Sequence, residues 1–392
     1  MKLLVISHSC VVGVNQRIYV ELAKYRDMEL RILVPRVWRE ATTRRKMFFD
    51  QDSPLKDLII SGDVIFPGGI TKHFYINAFS KPFIKFKPDI TFIDEEPQSL
   101  AAFQFLVLSK IFKAKAIFRI VENIVRSWPF PFSRIEPYVI RQSNGAVAVG
   151  KEASSVLTNK GYARFIPIIP FAVDPNLFSK RDVGKLKNKL NLKGFVIGYM
   201  GRLDKSKGIL TLVKAVSELA RENLSANYQL FIVGSGYLKD KIHSLTKELR
   251  IEDKLVMLES VPHNEAVAYF NCMDVCVLPS ITTSTWKEQF GRVLIEAMAC
   301  QVPVVGSDSG EIPWIIENTG GGLIFQEGDA EDLREKLAII IQDKGLREKL
   351  GIKGRENVIK KYACAKVAQR LHDVFREVLN GDGEDRQGKA KE

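Results

Sequence analysis

Two carboxylates and two cations have the types and spacing for chemistry on a phosphorylated sugar. In the run PSITTSTWKEQFGRVLIEAMACQVPVVGS, Pro279 to Ser307, Glu288 and Glu296 are separated by seven residues, and Phe290-Gly291 between them marks where a helix pattern opens. A carboxylate just ahead of a helix start can reach sugar hydroxyls while the unpaired N–H groups behind it face a phosphate, helped by a dipole of roughly half a charge. Glu296, in the helix's second turn, can accept hydrogen bonds from a ribose. Upstream, VIGYMGRLDKSKGI, Val196 to Ile209, sets Gly201, Arg202, Lys205, Lys207 and Gly208 after an apolar strand pattern. Glycine allows close backbone approach, and long cations suit a diphosphate that must be bound and then leave. Each piece also has a plain reading, a capped strand-to-helix loop or a surface glutamate, and only their combination favours the functional one. GxxxxGK[ST] is missing, as is GxGxxG at the first strand-to-helix turn, which disfavours a P-loop hydrolase or a dinucleotide enzyme.

Such residues need a scaffold, and short apolar runs alternating with amphipathic stretches supply one: the pattern of βαβ units around a parallel sheet. Strands are expected at residues 2–7, 30–34, 90–93, 116–120 and 145–149, then at 195–200, 229–233, 255–258, 275–278 and 302–306. Helices are expected near 15–25, 97–112, 133–142 and 151–160, then 206–221, from about 264, and 291–300. Residues 170–194 hold Pro170 and Pro175 among many polar side chains and read as a break in the pattern. The fold class is therefore α/β, with two doubly wound, Rossmann-like domains. Residues 1–174 form the first domain, 175–194 link, and 195–363 form the second. Residues 330–379 are helical by pattern, and 381–392 read as a frayed tail. Open α/β sheets bind ligands at the carboxyl ends of their strands, so the site is expected in a central cleft that both domains face.

From about Phe195 to Thr319 the chain closely resembles the retaining GT-B glycosyltransferases of family 4, the group 1 glycosyl transferases. The hallmark is the E-x7-E segment followed by EAMA-x-x-x-PVV, with the GRL…KG element before it. The resemblance implies that Arg202 and Lys207 hold the donor's diphosphate and that Glu288 contacts the transferred sugar. It implies that Gly201 and the amides near Gln289, Phe290, Gly291 and Arg292 approach sugar and phosphate, that Glu296 holds the ribose, and that Gly234 of Gly234-Ser235-Gly236 lines the nucleotide side. In the first domain it implies a glycine loop, Ser9 to Asn15, with Gly13 nearest the donor phosphate. The helix from about 364 to 380 is expected to return to the first domain. The sequence departs from the family where many members carry a histidine after a middle strand of the first domain: the run from Phe118 to Asn123 offers Glu122 instead.

Acceptor-side candidates in the first domain are His8, Asp94, Glu95, Glu96, Glu122 and Asn123. Asp94-Glu95-Glu96-Pro97 reads either as a cluster binding acceptor hydroxyls or as the acidic first turn of a helix; metal binding is the weakest option, and no metal site is expected. His73, His243, His263 and His372 read as structural or solvent-facing. Five scattered cysteines without paired spacing indicate neither a disulfide framework nor a structural zinc site.

Net charge is +12, of which residues 1–174 carry 25 Lys/Arg against 16 Asp/Glu, or +9, leaving +3 for the remainder. The densest basic piece, Arg36 to Lys46 around Trp38, reads as a solvated loop or as a contact with an anionic membrane surface; nucleic-acid motifs do not accompany it. No apolar run reaches a membrane span and the N-terminus reads as a buried strand rather than a signal peptide, so a cytoplasmic protein, peripheral on the inner membrane face if that contact exists, is expected. The expected activity is metal-independent, retaining transfer of a sugar from a nucleoside-diphosphate sugar to a hydroxyl of a saccharide, lipid-linked saccharide or small molecule, with no cofactor. The alternatives are a sugar-nucleotide hydrolase or epimerase of the same fold, and a noncatalytic sugar-nucleotide or membrane-surface binding protein.

Overall fold

The computed structural model describes residues 1–39, 46–49, 53–76, 79–219 and 227–381. The chain divides into two compact units, Met1–Pro170 with Cys364–Glu392, and Phe171–Ala363.

The first unit is built on β1 (Lys2–Ile6), α1 (Gly13–Leu22), β2 (Glu29–Pro35), β3 (Val37–Arg39), β4 (Lys46–Phe48), β5 (Ile59–Ile65), β6 (Phe74–Ile76), β7 (Ile90–Ile93), α2 (Leu100–Ile111), β8 (Lys115–Ile120), α3 (Phe132–Gln142), β9 (Gly145–Ala148) and α4 (Lys151–Asn159). Its seven-stranded sheet runs β6-β5-β2-β1-β7-β8-β9. All neighbours are parallel except β5 and β6, and β3 pairs with β4 in a separate antiparallel ribbon. The central strands β1, β7 and β8 and the edge strand β9 are buried along nearly their whole length, which is why they read as continuous apolar runs rather than alternating ones. The last helix of the chain, Cys364–Asn380, covers this unit: its apolar stripe Val367, Ala368, Leu371 and Phe375 is buried, and Phe375 meets Phe92 at 5.3 Å between ring centres.

The second unit contains α5 (Gly184–Lys189), β10 (Phe195–Met200), α6 (Ile209–Leu219), β11 (Tyr228–Val233), α7 (Lys239–Glu248), β12 (Leu255–Leu258), α8 (Ala266–Phe270), β13 (Val275–Leu278), α9 (Arg292–Ala299), β14 (Val304–Ser307), α10 (Ile312–Thr319), β15 (Gly322–Phe325), α11 (Ala330–Gln342) and α12 (Lys344–Tyr362). Its all-parallel sheet has the order β12-β11-β10-β13-β14-β15. One face packs against α6 and α11 through Leu212, Val216, Leu333 and Leu337, all fully buried. Residues 175–194 lie within this unit: Phe178 is buried, Arg181 N–H donates to Asn271 at 2.7 Å, and α5 closes the stretch.

In each sheet the chain order reverses once, between β1 and β7 in the first unit and between β10 and β13 in the second. At such a switch point adjacent loops diverge to opposite faces and leave a crevice beyond the strands' carboxyl ends. The loops after those four strands carry nearly all the expected site residues.

Candidate active site

In the second unit the loops after β10 and β13 bring two expected residues together. The Lys207 ammonium lies 2.6 Å from Glu288 Oε2, and Ser280 Oγ–H donates to the same oxygen at 2.7 Å. Glu288 is buried, and its main-chain carbonyl accepts from Glu311 N–H at 3.1 Å. Lys207 also stands 4.6 Å over the Trp286 ring, so the cation is held between a carboxylate and an aromatic face. Asp204 organises the rest of the loop. Its side chain caps the backbone N–H of Lys207 at 3.2 Å, accepts from Ser206 Oγ, and pairs with Arg202 at 3.4 Å. Arg202 remains largely exposed, a cation on a fixed loop with its guanidinium toward solvent.

Glycine sets two of these loops. Gly291, at φ +79° just ahead of α9, places no side chain over the helix's first amides, which have no side-chain cap. At Gly234 a Cβ would stand 1.9 Å from the Gly201 carbonyl oxygen, so the Gly234-Ser235-Gly236 loop lies on the Gly201 loop only because a side chain is missing. Phe290 is buried, Gln289 is half-buried, and the Arg292 guanidinium lies 4.0 Å over Phe171. Glu296 sits in the second turn of α9 and is paired with His263 at 2.8 Å, while Phe178 packs edge-on to that histidine at 5.2 Å. His263, expected to be structural or solvent-facing, thus fixes the rotamer of Glu296.

In the first unit the acidic cluster does not begin a helix. α2 starts at Leu100 with Ser99 as its cap, Ser99 Oγ accepting from Ala102 N–H, so Asp94, Glu95 and Glu96 stand in the loop after β7. Each has its own partners. Asp94 accepts from Ser7 Oγ at 3.0 Å and Tyr19 Oη at 2.9 Å and pairs with Arg119 at 2.9 Å. Glu95 accepts from His8 N–H at 2.7 Å, meets His8 Nδ1 at 2.5 Å and faces His73 Nε2 at 3.5 Å. Burial alone would raise the Glu95 carboxyl, but the two imidazoles hold it down at about 2, and the His8 ring is raised in turn against its own burial, chiefly by Glu95. Glu96 is pushed up to about 8 by burial, with the Glu122 carboxylate adding to it, although Val121 and Glu122 donate their N–H groups to Oε1 at 2.9 and 3.1 Å.

Glu122 pairs with Arg126 at 3.3 Å, and Asn123 Nδ2 donates to Glu152 at 2.9 Å. Gly13 is the first residue of α1, following the short turn Ser9–Val11. His73, expected to be structural or solvent-facing, is fully buried beside Glu95 and His8, as the structural reading allows. One reading from the sequence is corrected here. Trp38, read as part of a basic surface, is buried, 4.6 Å from the His8 ring and 5.0 Å from His73. Residues 40–45 of that basic piece lie outside the described residues, as do 382–392 of the expected tail.

Comparisons with known proteins cover most of the second unit. Residues 181–357 match the family described as Glycosyl transferases group 1. Over these residues the chain is similar to the group 1 glycosyl transferases. Among its relatives are the capsular polysaccharide biosynthesis glycosyltransferase CapM of Staphylococcus aureus, 29% identical over 59% of this chain and 57% of that protein, and the N-acetyl-alpha-D-glucosaminyl L-malate synthase of Bacillus anthracis, 28% identical over 54% and 53%. The chain thus spans about half the length of the curated relatives it matches. The similarity in fold extends further than the similarity in sequence. The structure of Anabaena Alr3699/HepE in complex with UDP and glucose matches with a TM-score of 0.70 at 18% identity, over 96% of this chain and all of that one (100%). A glycosyltransferase from Rickettsia africae matches with a TM-score of 0.73 at 19% identity, over 96% and 98%. The fold is accordingly GT-B, with two Rossmann-like units.

Proposed function

We propose that this chain is a retaining, family 4 glycosyltransferase that moves a sugar from a nucleoside-diphosphate sugar to an acceptor hydroxyl without a metal at the diphosphate. The observation that carries this reading is the Lys207–Glu288 pair at the switch point of the second unit. A buried ion pair is a weak source of stability, because both partners lose their hydration. At a switch point, set between a glycine-bearing loop and a helix start, it is well suited to being rearranged by a ligand. Arriving diphosphate takes the Lys207 ammonium and the Arg202 guanidinium, and Glu288 is released to accept hydrogen bonds from sugar hydroxyls. Glu296, already oriented by His263, accepts from the ribose. The cations occupy the role a divalent ion plays in metal-dependent transferases.

Transfer breaks the bond between the anomeric carbon and the phosphate oxygen and forms one from that carbon to the acceptor oxygen. The proton lost by the acceptor goes to the departing phosphate oxygen, so no side-chain base is required. Charge grows on the leaving group in the transition state, and a preorganised donor facing such charge is typically worth about 10²- to 10³-fold in rate. The first unit is proposed as the acceptor side, through Asp94, Glu95 and Glu96, and no cofactor is proposed.

The acceptor class that best suits the first unit's surface is a lipid-linked saccharide. Ile65, Phe66, Ile70 and Phe79 are exposed there among Lys72 and Lys81, and among the described residues no helix is long and apolar enough to cross a membrane. Exposed apolar side chains with lysines suit a peripheral contact with an anionic bilayer on the cytoplasmic side.

The test is product analysis with UDP-, GDP- and ADP-sugars and a panel of hydroxyl acceptors. The reading predicts a glycoside with the donor's anomeric configuration by NMR, and transfer reduced at least about 100-fold in folded Arg202→Ala and Glu288→Gln proteins. Free sugar alone would make the chain a hydrolase. Near-normal transfer by both variants would remove their roles.

A further inference from the structure

Glu95, His73 and His8 form a second cluster, in the first unit. His8 follows β1, Glu95 follows β7, and His73 immediately precedes β6, so three loops converge beyond the carboxyl ends of the two strands at the switch point. One ligand atom from each of the three residues lies within 4.8 Å of the others.

His73 gives the cluster its direction. Its Nδ1 lies 3.0 Å from the Ile70 carbonyl and 3.2 Å from the Gly69 carbonyl. Both are acceptors, so Nδ1 carries a proton. Nε2 is buried, has no hydrogen-bond partner, and is aimed at Glu95 Oε1 from 3.5 Å, longer than the about 2.7–2.9 Å to which a charge-assisted N–H···O bond closes. A tetrahedral ion with bonds of about 2.0–2.1 Å holds its ligands about 3.4 Å apart, which the observed separation matches. A histidine whose other N–H is pinned by a backbone carbonyl is also the usual second-shell arrangement of a metal ligand.

His8 completes the set. Its Nδ1 shares a proton with Glu95 Oε2 at 2.5 Å, a proton that an incoming cation would displace to solvent. The Trp38 ring walls the cluster against both imidazoles. His8 is the one ligand with partial side-chain exposure, 19%, and provides the way in.

We propose that His8, His73 and Glu95 form a binding site for a divalent cation of the zinc class, with the fourth position open to water or to an acceptor oxygen. Two imidazoles and one carboxylate are a donor set that such ions take in sites that keep an open position. The proposal is independent of the donor reading. It uses no residue of the second unit.

The test uses the untagged full chain, stripped with chelator and then equilibrated with zinc or cobalt(II). The expected result is one equivalent of zinc per chain after gel filtration, and cobalt absorption bands of four-coordinate intensity. His8→Ala, checked for folding by circular dichroism, should weaken binding by about a hundredfold or more, since losing even a second-shell partner costs 10- to 100-fold. X-ray absorption of the zinc-loaded wild type should show imidazole and oxygen ligands, and this arm does not depend on any variant folding. Metal below about a tenth of an equivalent in the wild type, sulfur in the first shell, or unchanged binding by folded His8→Ala would each overturn the proposal.

Discussion

Lys207 and Glu288 illustrate how one pair of side chains can carry both a structural cost and a chemical role. Removing one partner of a buried pair typically costs 3–5 kcal/mol, because the other charge is left uncompensated, so Lys207→Met should lower stability by about that amount. Adding Glu288→Gln to it should restore most of the loss while leaving transfer abolished. Urea unfolding and an activity assay on the two singles and the double would check both halves, and recovery of transfer in the double would show that the pair is only structural. At this scale the candidate residues of the second unit were legible, since spacing around a helix start marks Glu288 and Glu296 and a loop of glycine and cations marks Lys207. His73 and His263 were not legible. A lone histidine in a loop carries no local signal, and what defines both is a carboxylate brought in by a distant strand or helix: Glu95 lies 22 residues beyond His73, and Glu296 lies 33 residues beyond His263.

The elements were read well where burial is complete and poorly where it is partial. β7, β10 and β13 have the expected bounds, and β1 differs by a single residue, because parallel strands at a sheet centre are apolar on both faces; the partly buried edge strand β12 also has its expected bounds. β5 escaped because Ser61, Gly62 and Asp63 dilute its apolar pattern, and β3, β4 and β6 because three residues are too few to show a period. α10 and β15 escaped as well, since IPWIIENTGGGLIF is a nearly continuous apolar run whose helix-to-strand change is marked only by its glycines. Turn chemistry also explains a residue that the sequence left without a role. Gln301 stands at φ +61°, where a side chain is unfavourable by about 1–2 kcal/mol. Gln301→Gly should therefore raise stability by up to about 1 kcal/mol after glycine's own entropic penalty. Gly234→Ala should do the reverse, losing at least about 2 kcal/mol, because the new Cβ meets a backbone carbonyl that cannot yield. Melting temperatures of the two variants shifting in the same direction would contradict this account of the loops.

Across the whole molecule, the two-sheet architecture and the division of the chain near residue 364 follow from alternation of strand and helix patterns, which only repeated βαβ units produce. The C-terminal helix joins the first unit because its amphipathic stripe needs an apolar partner, and α1 together with the sheet face at Phe92 provides one. The +9 charge of residues 1–174 has no counterpart in the second unit, where cations and carboxylates nearly balance and Lys207 and Glu288 are paired at one switch point. The nucleotide base and the sugar are not written in any motif, since pocket shape decides them. The most direct test of the central claim is calorimetric titration of the full chain with UDP, GDP and ADP, repeated on folded Lys207→Met. One nucleoside diphosphate should bind with one-to-one stoichiometry and lose at least about tenfold in affinity when Lys207 is replaced, as expected for a charge-assisted contact to phosphate worth 1.4 kcal/mol or more. Binding of none of the three, or equal binding by wild type and variant, would contradict it.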